Sequence, residues 1–211
     1  MTQSMSSAAA GGTGLLAIFV DLDPEDRPGF RPFLAEDMFP PRRDIGLGPA
    51  ASYDRVDGQG QQFLTVYVAP SLGDLYGAPY QSLRQKRGAR DALYHQKFRN
   101  QDRYVAGWTG PEVSSPNPQE FAQYLQVDRF DVSDEETQEF NIWFACDYLP
   151  GAAEIPGVVS VRRYLAVEGA PANLVVHELD DPLLVQDGAW QELRSALRTD
   201  SSGLYARALS S

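Results

Sequence analysis

Histidine and cysteine are almost missing from this 211-residue chain, with two of the first and one of the second. Cys146 has no partner for an intrachain disulfide, so a reducing, cytoplasmic setting is expected. His95 and His177 lie far apart in the sequence, and neither sits at metal-ligand spacing from another histidine. No resident metal is therefore expected. No run of eighteen apolar residues exists, which removes a membrane-spanning helix from the reading. A phosphate-cradling glycine loop and a serine nucleophile elbow are likewise absent, and Asp131 to Glu136 lacks the turn glycine of a calcium loop. Positive charge is scarce, with 18 Lys and Arg against 29 Asp and Glu, a net charge of −11. Such a surface repels phosphate backbones and anionic lipid, so neither nucleic acid nor membrane is expected as a partner.

What is present is ordinary for a globular protein, with 43% apolar and 22% charged residues. A chain of this size buries roughly 70% of its extended surface, enough for its own core. Residues 1–14, small and polar, read as a disordered leader without the apolar middle of a signal peptide. The informative feature is internal likeness. Phe140, Trp143, Phe144, Asp147, Leu149 and Pro150 each repeat a residue 110 positions earlier: Phe30, Phe33, Leu34, Asp37, Phe39 and Pro40. The same offset relates Leu64 to Leu174, Val66 to Val176, Tyr80 to Trp190 and Arg84 to Arg194.

Each half reads as βαββαβ. In the second half Leu125 to Val132 is a strand, and Ser133 precedes Glu136 at capping-box spacing. Phe140, Trp143 and Phe144 then share one helical face, which Pro150 and Gly151 close. A hairpin turning at Glu168-Gly169 follows, then a helix over Leu183 to Leu197, and Leu204 to Leu209 as a closing edge strand. The first half predicts the same order, with Asp23-Pro24 opening its first helix and a hairpin turn at Asp57-Gly58. An extended second helix runs from Tyr80 to Asn100. The expected class is α+β: a ferredoxin-like repeat over 15–109, a linker over 110–123, and a second repeat over 124–211. A single unit leaves one sheet face bare, and packing two sheets face to face within one chain would cover both.

The stretch from Asp134 to Tyr164 resembles the EthD-like members of the dimeric α/β-barrel superfamily. The aromatic pair Trp143-Phe144 is followed by three residues, then Tyr148, Leu149 and Pro150; Gly157, Ser160, Arg163 and Tyr164 continue the pattern. The likeness covers about two thirds of the chain, Leu125 to Arg194 better than Leu15 to Arg84. It implies a barrel formed within one chain and a ligand held in its interior. Relatives include cofactor-free monooxygenases, lactone isomerases, polyketide cyclases and haem peroxidases, so the likeness is specific for fold and weak for activity. The chain departs from the family at the position normally held by histidine, which is Met38 in one half and Tyr148 in the other. A mechanism resting on that histidine does not carry over, and haem is the least expected ligand.

His177 alternates with Asn173 and Val175 on one strand face, and Phe63, Thr65 and Tyr67 occupy the matching face of the first half. The opposite face, with Leu64, Val66, Val68, Leu174 and Val176, suits a helix layer, so His177 and Tyr67 are expected to point into the barrel. His177 would then move a proton, assisted by Tyr67 or Tyr148, or else be a core histidine with one satisfied hydrogen bond. Asp131 joins the candidate catalytic set, and Arg129, Arg163, Trp143 and Phe63 the candidate substrate-binding set. Arg129 reads equally as a strut to Asp131 or Glu178. His95 reads as exposed and Cys146 as a small buried residue. The basic island Arg84 to Arg90 reads as a solvated helix face, or as a mouth for an acidic substrate. The first expectation is a cofactor-independent enzyme doing cyclase- or isomerase-type proton transfer on a small apolar or aromatic molecule. A non-catalytic binder and a cofactor-free monooxygenase are the alternatives, and a homodimer of such pseudo-dimers stays open.

Overall fold

The computed structural model describes residues 12–57, 60–113 and 121–211. Most of the expected leader, the middle of the expected linker and Gly58 of the first hairpin turn lie outside the described residues. The first half runs β1 (Gly14–Asp21), α1 (Arg27–Phe33), a π turn (Leu34–Met38), α2 (Phe39–Asp44), β2 (Ala50–Arg55) and β3 (Phe63–Ala69). It continues through a 3₁₀ turn (Leu72–Leu75), α3 (Ala78–Gln85), α4 (Ala89–Lys97) and β4 (Arg99–Trp108). The second half repeats the order as β5 (Tyr124–Phe130), α5 (Thr137–Trp143), a π turn (Phe144–Tyr148), α6 (Leu149–Ala153), β6 (Val158–Glu168) and β7 (Asn173–Leu179). A 3₁₀ turn (Pro182–Gln186), α7 (Gly188–Ser195) and β8 (Ser201–Ser210) complete it, and only α4 has no counterpart.

The strands close into one antiparallel barrel in the order β1-β3-β2-β8-β5-β7-β6-β4. Each half contributes four adjacent strands in the ferredoxin-like order, and the seams are β2–β8 and β4–β6. The α+β barrel expected from the sequence is therefore the observed fold. The run Leu204 to Leu209 is no edge: β8 pairs on both sides, since a closed barrel has none.

The interior of the barrel corrects the expected face assignment. Leu64, Val66, Val68, Leu174 and Val176 pack inside it with Phe19, Tyr53, Tyr104, Tyr164 and Tyr205, in a cluster that takes no helical residue. An eight-stranded barrel is just wide enough for side chains to fill, so its sealed interior takes the uniformly apolar face. The mixed face, with Phe63 and Tyr67 in one half and Val175 in the other, lies under the helices. All seven residues of β3 and of β7 are buried, because both faces are covered.

Both π turns have a cause in the sequence. Pro40 and Pro150 lack an N–H, and their rings clash with the carbonyl four residues back. The preceding turn widens instead: the Phe39 N–H donates to Leu34 O and the Leu149 N–H to Phe144 O, each five residues back. Other boundaries shift for equally local reasons. Asp23-Pro24 only begins a turn, and α1 starts after Asp26. The long helix expected from Tyr80 breaks between α3 and α4, where Gly88 is extended at φ −63°, ψ 161°. The expected Leu183–Leu197 helix divides at Asp187, whose Oδ1 accepts from the Trp190 N–H at 3.1 Å and caps α7. Cys146 is exposed rather than buried. Among the described residues no helix is long and apolar enough to cross a membrane, and no group of three or more His, Cys, Asp or Glu side chains is placed to hold a metal ion.

Candidate active site

A cleft of about 410 Å³ opens between the sheet and the helices of the first half. Its floor is Ile18, Val20, Thr65 and Tyr67 from β1 and β3. Met38, at the end of the π turn, and Arg42, one turn later on α2, form one wall. Asp91 and His95 from α4 form another, and Arg84, Arg87 and Arg103 reach the rim. A volume of this size suits a small molecule of two or three fused rings.

Tyr67 is fully buried, and its hydroxyl has no hydrogen-bond partner among the described residues. Burial pushes its ionisation well above the ordinary phenol range, more than the nearby Arg42 charge offsets, so it remains a neutral donor. Arg42 is 8% exposed. Its Nη1 donates to Met38 O at 3.0 Å, its guanidinium lies 5.2 Å from the Tyr67 ring centre, and its buried Nε is unpartnered among the described residues. Two buried donors and one buried acceptor, Asp91 Oδ1, on residues that line this cleft thus have no hydrogen-bond partner among the described residues. Such groups cost about 1–3 kcal/mol each unless a ligand satisfies them.

On the opposite wall His95 Nε2 stands 3.1 Å from Asp91 Oδ1, an i,i+4 pair. Burial raises the Asp91 carboxyl, but His95 close beside it and the charges of Arg42 and Arg87 outweigh that and hold the group below its ordinary range. His95 is partly buried in the cleft wall, not exposed as its polar helical context implied. α4 is held in place by Tyr94, stacked 4.3 Å on Phe33, and by Arg90, which donates to Asp37 Oδ2 at 2.8 Å.

The matching region of the second half is filled. His177, the counterpart of Tyr67, is completely buried; its Nε2 lies 2.7 Å from Tyr148 Oη and its Nδ1 3.1 Å from Gln126 O. Gln126 O can only accept, so Nδ1 carries the proton and Nε2 accepts from Tyr148. Burial lowers the His177 pKa to about 4, with Asp128 opposing and Arg194 reinforcing the shift. Burial also raises Tyr148 well above its usual value. Trp190, counterpart of Tyr80, stands edge-on 5.1 Å from the His177 ring. The expected His177–Tyr148 pair is therefore real but sealed, with no access to the barrel interior. Both nitrogens are engaged, which also argues against His177 as a haem ligand.

The remaining candidates scatter. Tyr67 and His177 belong to different halves and do not share a pocket. Arg129 does reach the barrel interior, lying 4.4 Å over the Phe19 ring, but it pairs with Asp102 at 2.9 Å and Ser201 Oγ at 2.7 Å, not with Asp131 or Glu178. Asp131 lies past the end of β5 and accepts from the Ala172 N–H at 2.7 Å, fixing a hairpin as Asp21 does through Gln62 N. Arg163 faces the helix layer, bonded to Asn173 Oδ1 at 2.8 Å and lying 4.7 Å over the Phe140 ring. Burial alone lowers its pKa to about 10. Phe63 packs 5.0 Å from Phe30, behind the lining of the cleft, and does not line it itself. Trp143 joins Phe140, Glu136 and Glu139 along a smaller cleft of about 240 Å³. Sequence reasoning missed Arg42 and Asp91; Arg42 carried a signal, a charge four residues after Met38 in an otherwise apolar helical stripe.

No family model and no curated protein matches the chain. Solved structures do. An anthrone oxidase-like protein matches at a TM-score of 0.62 and 13% identity, over 98% of this chain and 95% of that one. A candidate monooxygenase from Lactobacillus acidophilus matches at 0.57 and 11%, over 93% of each chain. A candidate chlorite dismutase matches at 0.57 and 10%, over 94% and 96%. At these identities the likeness establishes the fold.

Proposed function

We propose that this chain is a cofactor-independent enzyme that removes a proton from a small, largely aromatic molecule held in the first-half cleft. The observation that carries the reading is the pair of buried donors without partners among the described residues, Tyr67 Oη on the floor of the cleft and Arg42 Nε on its wall. Loss of a proton from a phenol, or from carbon beside a carbonyl, places negative charge on oxygen. A neutral phenol and a guanidinium already fixed and desolvated stabilise that charge without reorganising. His95 is the base: Nε2 stands 3.1 Å from Asp91 Oδ1, whose charge favours the imidazolium, and Nδ1 takes the proton. Ile18, Val20, Phe30 and Phe98 exclude water from the apolar body of the substrate.

The resulting anion has two fates. Reprotonation at another position gives isomerase or cyclase chemistry. Reaction with dioxygen gives cofactor-free monooxygenase chemistry, which the monooxygenase and anthrone oxidase-like names among the structural neighbours favour. We also read the halves, 15–109 and 124–211, as copies of one EthD-like unit joined by a linker over 110–123. The 110-residue offset that relates their elements supports this.

Anthrone tests the second fate. Anthrone and dioxygen yield anthraquinone and water, so oxygen uptake and quinone absorbance report the same turnover. Tyr67→Phe is expected to lower the rate roughly 10²- to 10³-fold, and His95→Gln roughly 10²- to 10⁴-fold. Equal rates in the wild type and both variants would overturn the assignment.

A further inference from the structure

The two halves treat the same arginine differently. Arg194 is the seventh residue of α7, and Arg84 the seventh of α3. In the second half, Arg194 forks onto Asp128: Nε donates to Oδ2 at 2.9 Å, Nη2 donates to Oδ1, and Nη2 also donates to Ser202 Oγ at 2.7 Å. The Asp128 carboxylate is completely buried. Asp128 pairs with Val175 across β5 and β7; at the same register in the first half Ile18 pairs with Thr65 across β1 and β3. An isoleucine therefore stands where the carboxylate would be, and its side chain lines the cleft.

Arg84 is left without that partner. Of the acids near the cleft, Asp91 stands 3.1 Å from His95 and Glu168 is bonded to Arg103, while Arg87 and Arg84 act on these two carboxylates only through their charge. Among the described residues neither Arg84 nor Arg87 forms a salt bridge, yet both line the cleft. A guanidinium is a planar double donor matched to the two oxygens of a carboxylate or phosphate. The chain as a whole, at net −11, repels anions, so a local basic rim concentrates them at this mouth.

We infer that the substrate of this cleft carries an ionised acid group, a carboxylate or a phosphate, which Arg84 binds at the rim as Arg194 binds Asp128 in the second half, with Arg87 beside it. The inference rests on the reading of the first-half cleft as the ligand site. It also orients the ligand: the acid group lies at the rim with the exposed arginines, and the reacting oxygen lies inside at Tyr67 and Arg42. A molecule neutral at both ends would forgo the rim contact, so Arg84 and Arg87 determine specificity rather than catalyse.

Calorimetric titration of the full chain at low salt with 2-naphthoate, 2-naphthyl phosphate and neutral 2-naphthalenemethanol tests this. At least one acid probe is expected to bind ten times more tightly than the neutral one, and the tighter of the two identifies the acid. Arg84→Gln should weaken that acid probe about tenfold and the neutral probe less than twofold. Ile18→Asp, which supplies the missing carboxylate internally, should abolish the preference in the same way. Raising the salt to 0.5 M should shrink the preference, because the rim is solvent-exposed. Equal binding of acid and neutral probes, or a preference that survives Arg84→Gln, overturns the inference and leaves the cleft reading intact. Failure of all three probes to bind overturns both.

Discussion

Replacing His177 by asparagine separates a buried strut from a catalytic base. Asparagine keeps a donor for Gln126 O but cannot titrate. In the folded chain the imidazole stays neutral down to a pKa of about 4, because it is completely buried. In the unfolded chain it takes up a proton near pH 6.5. The folded value is the lower one, so the stability that neutral His177 provides is complete above about pH 7. It is lost as the pH falls from 6.5 to 4, where the unfolded state binds the extra proton. That gap corresponds to about 3 kcal/mol over the whole window. Urea unfolding from pH 7.5 to 4.5 measures it, because the carboxylates titrate alike in both proteins and cancel in the difference. The wild type should lose about 2–3 kcal/mol more than the variant across this range. Binding in the first-half cleft should not change, in contrast to the large loss of turnover that the strand pattern alone implied. Parallel pH profiles for the two proteins would refute a buried, neutral His177.

Three further substitutions follow from the packing. Asp128→Asn leaves the largely buried Arg194 without its carboxylate and should cost about 3–5 kcal/mol, read as a fall in Tm. Leu174→Ala opens a void in the filled barrel interior and should cost about 2–5 kcal/mol with no effect on naphthoate affinity. Tyr67→Phe removes a buried hydroxyl that has no hydrogen-bond partner among the described residues, so urea unfolding should show unchanged stability, or a gain of up to about 1 kcal/mol. Loss of function together with loss of stability in that variant would contradict the orphan-donor reading.

The fold was legible because the aromatic and proline positions recur at a fixed spacing and the strand alternation is strong. Phe30, Phe33 and Pro40 against Phe140, Trp143 and Pro150 already specify two like units, and two like units with bare sheet faces specify closure. The site was legible only in part. Tyr67 and His177 were found because polar residues in an otherwise apolar strand stand out, and Tyr148 because it stands where the resembled family has histidine; two of the three do meet. Period-two alternation, however, says which residues share a face and not which face is inside. Both faces of these strands are buried, and the more apolar one went to the sealed interior. Asp91 and His95 come from α4, which the second half lacks, so the repeat itself could not point to them. The basic stretch was visible from Arg84 onward. Its meaning emerged only from the contrast between Ile18 and Asp128, which hold the same register in β1 and β5.

The central claim is that a ligand enters the cleft of the first half and neither the barrel interior nor the second half. A crystal soaked in 6-bromo-2-naphthoate tests it most directly, since bromine scatters anomalously. One peak between Tyr67 and Arg84, with the acid group against Arg84, is the result this account predicts. A peak among Leu64, Val66 and Leu174, or beside His177 and Trp190, would contradict it.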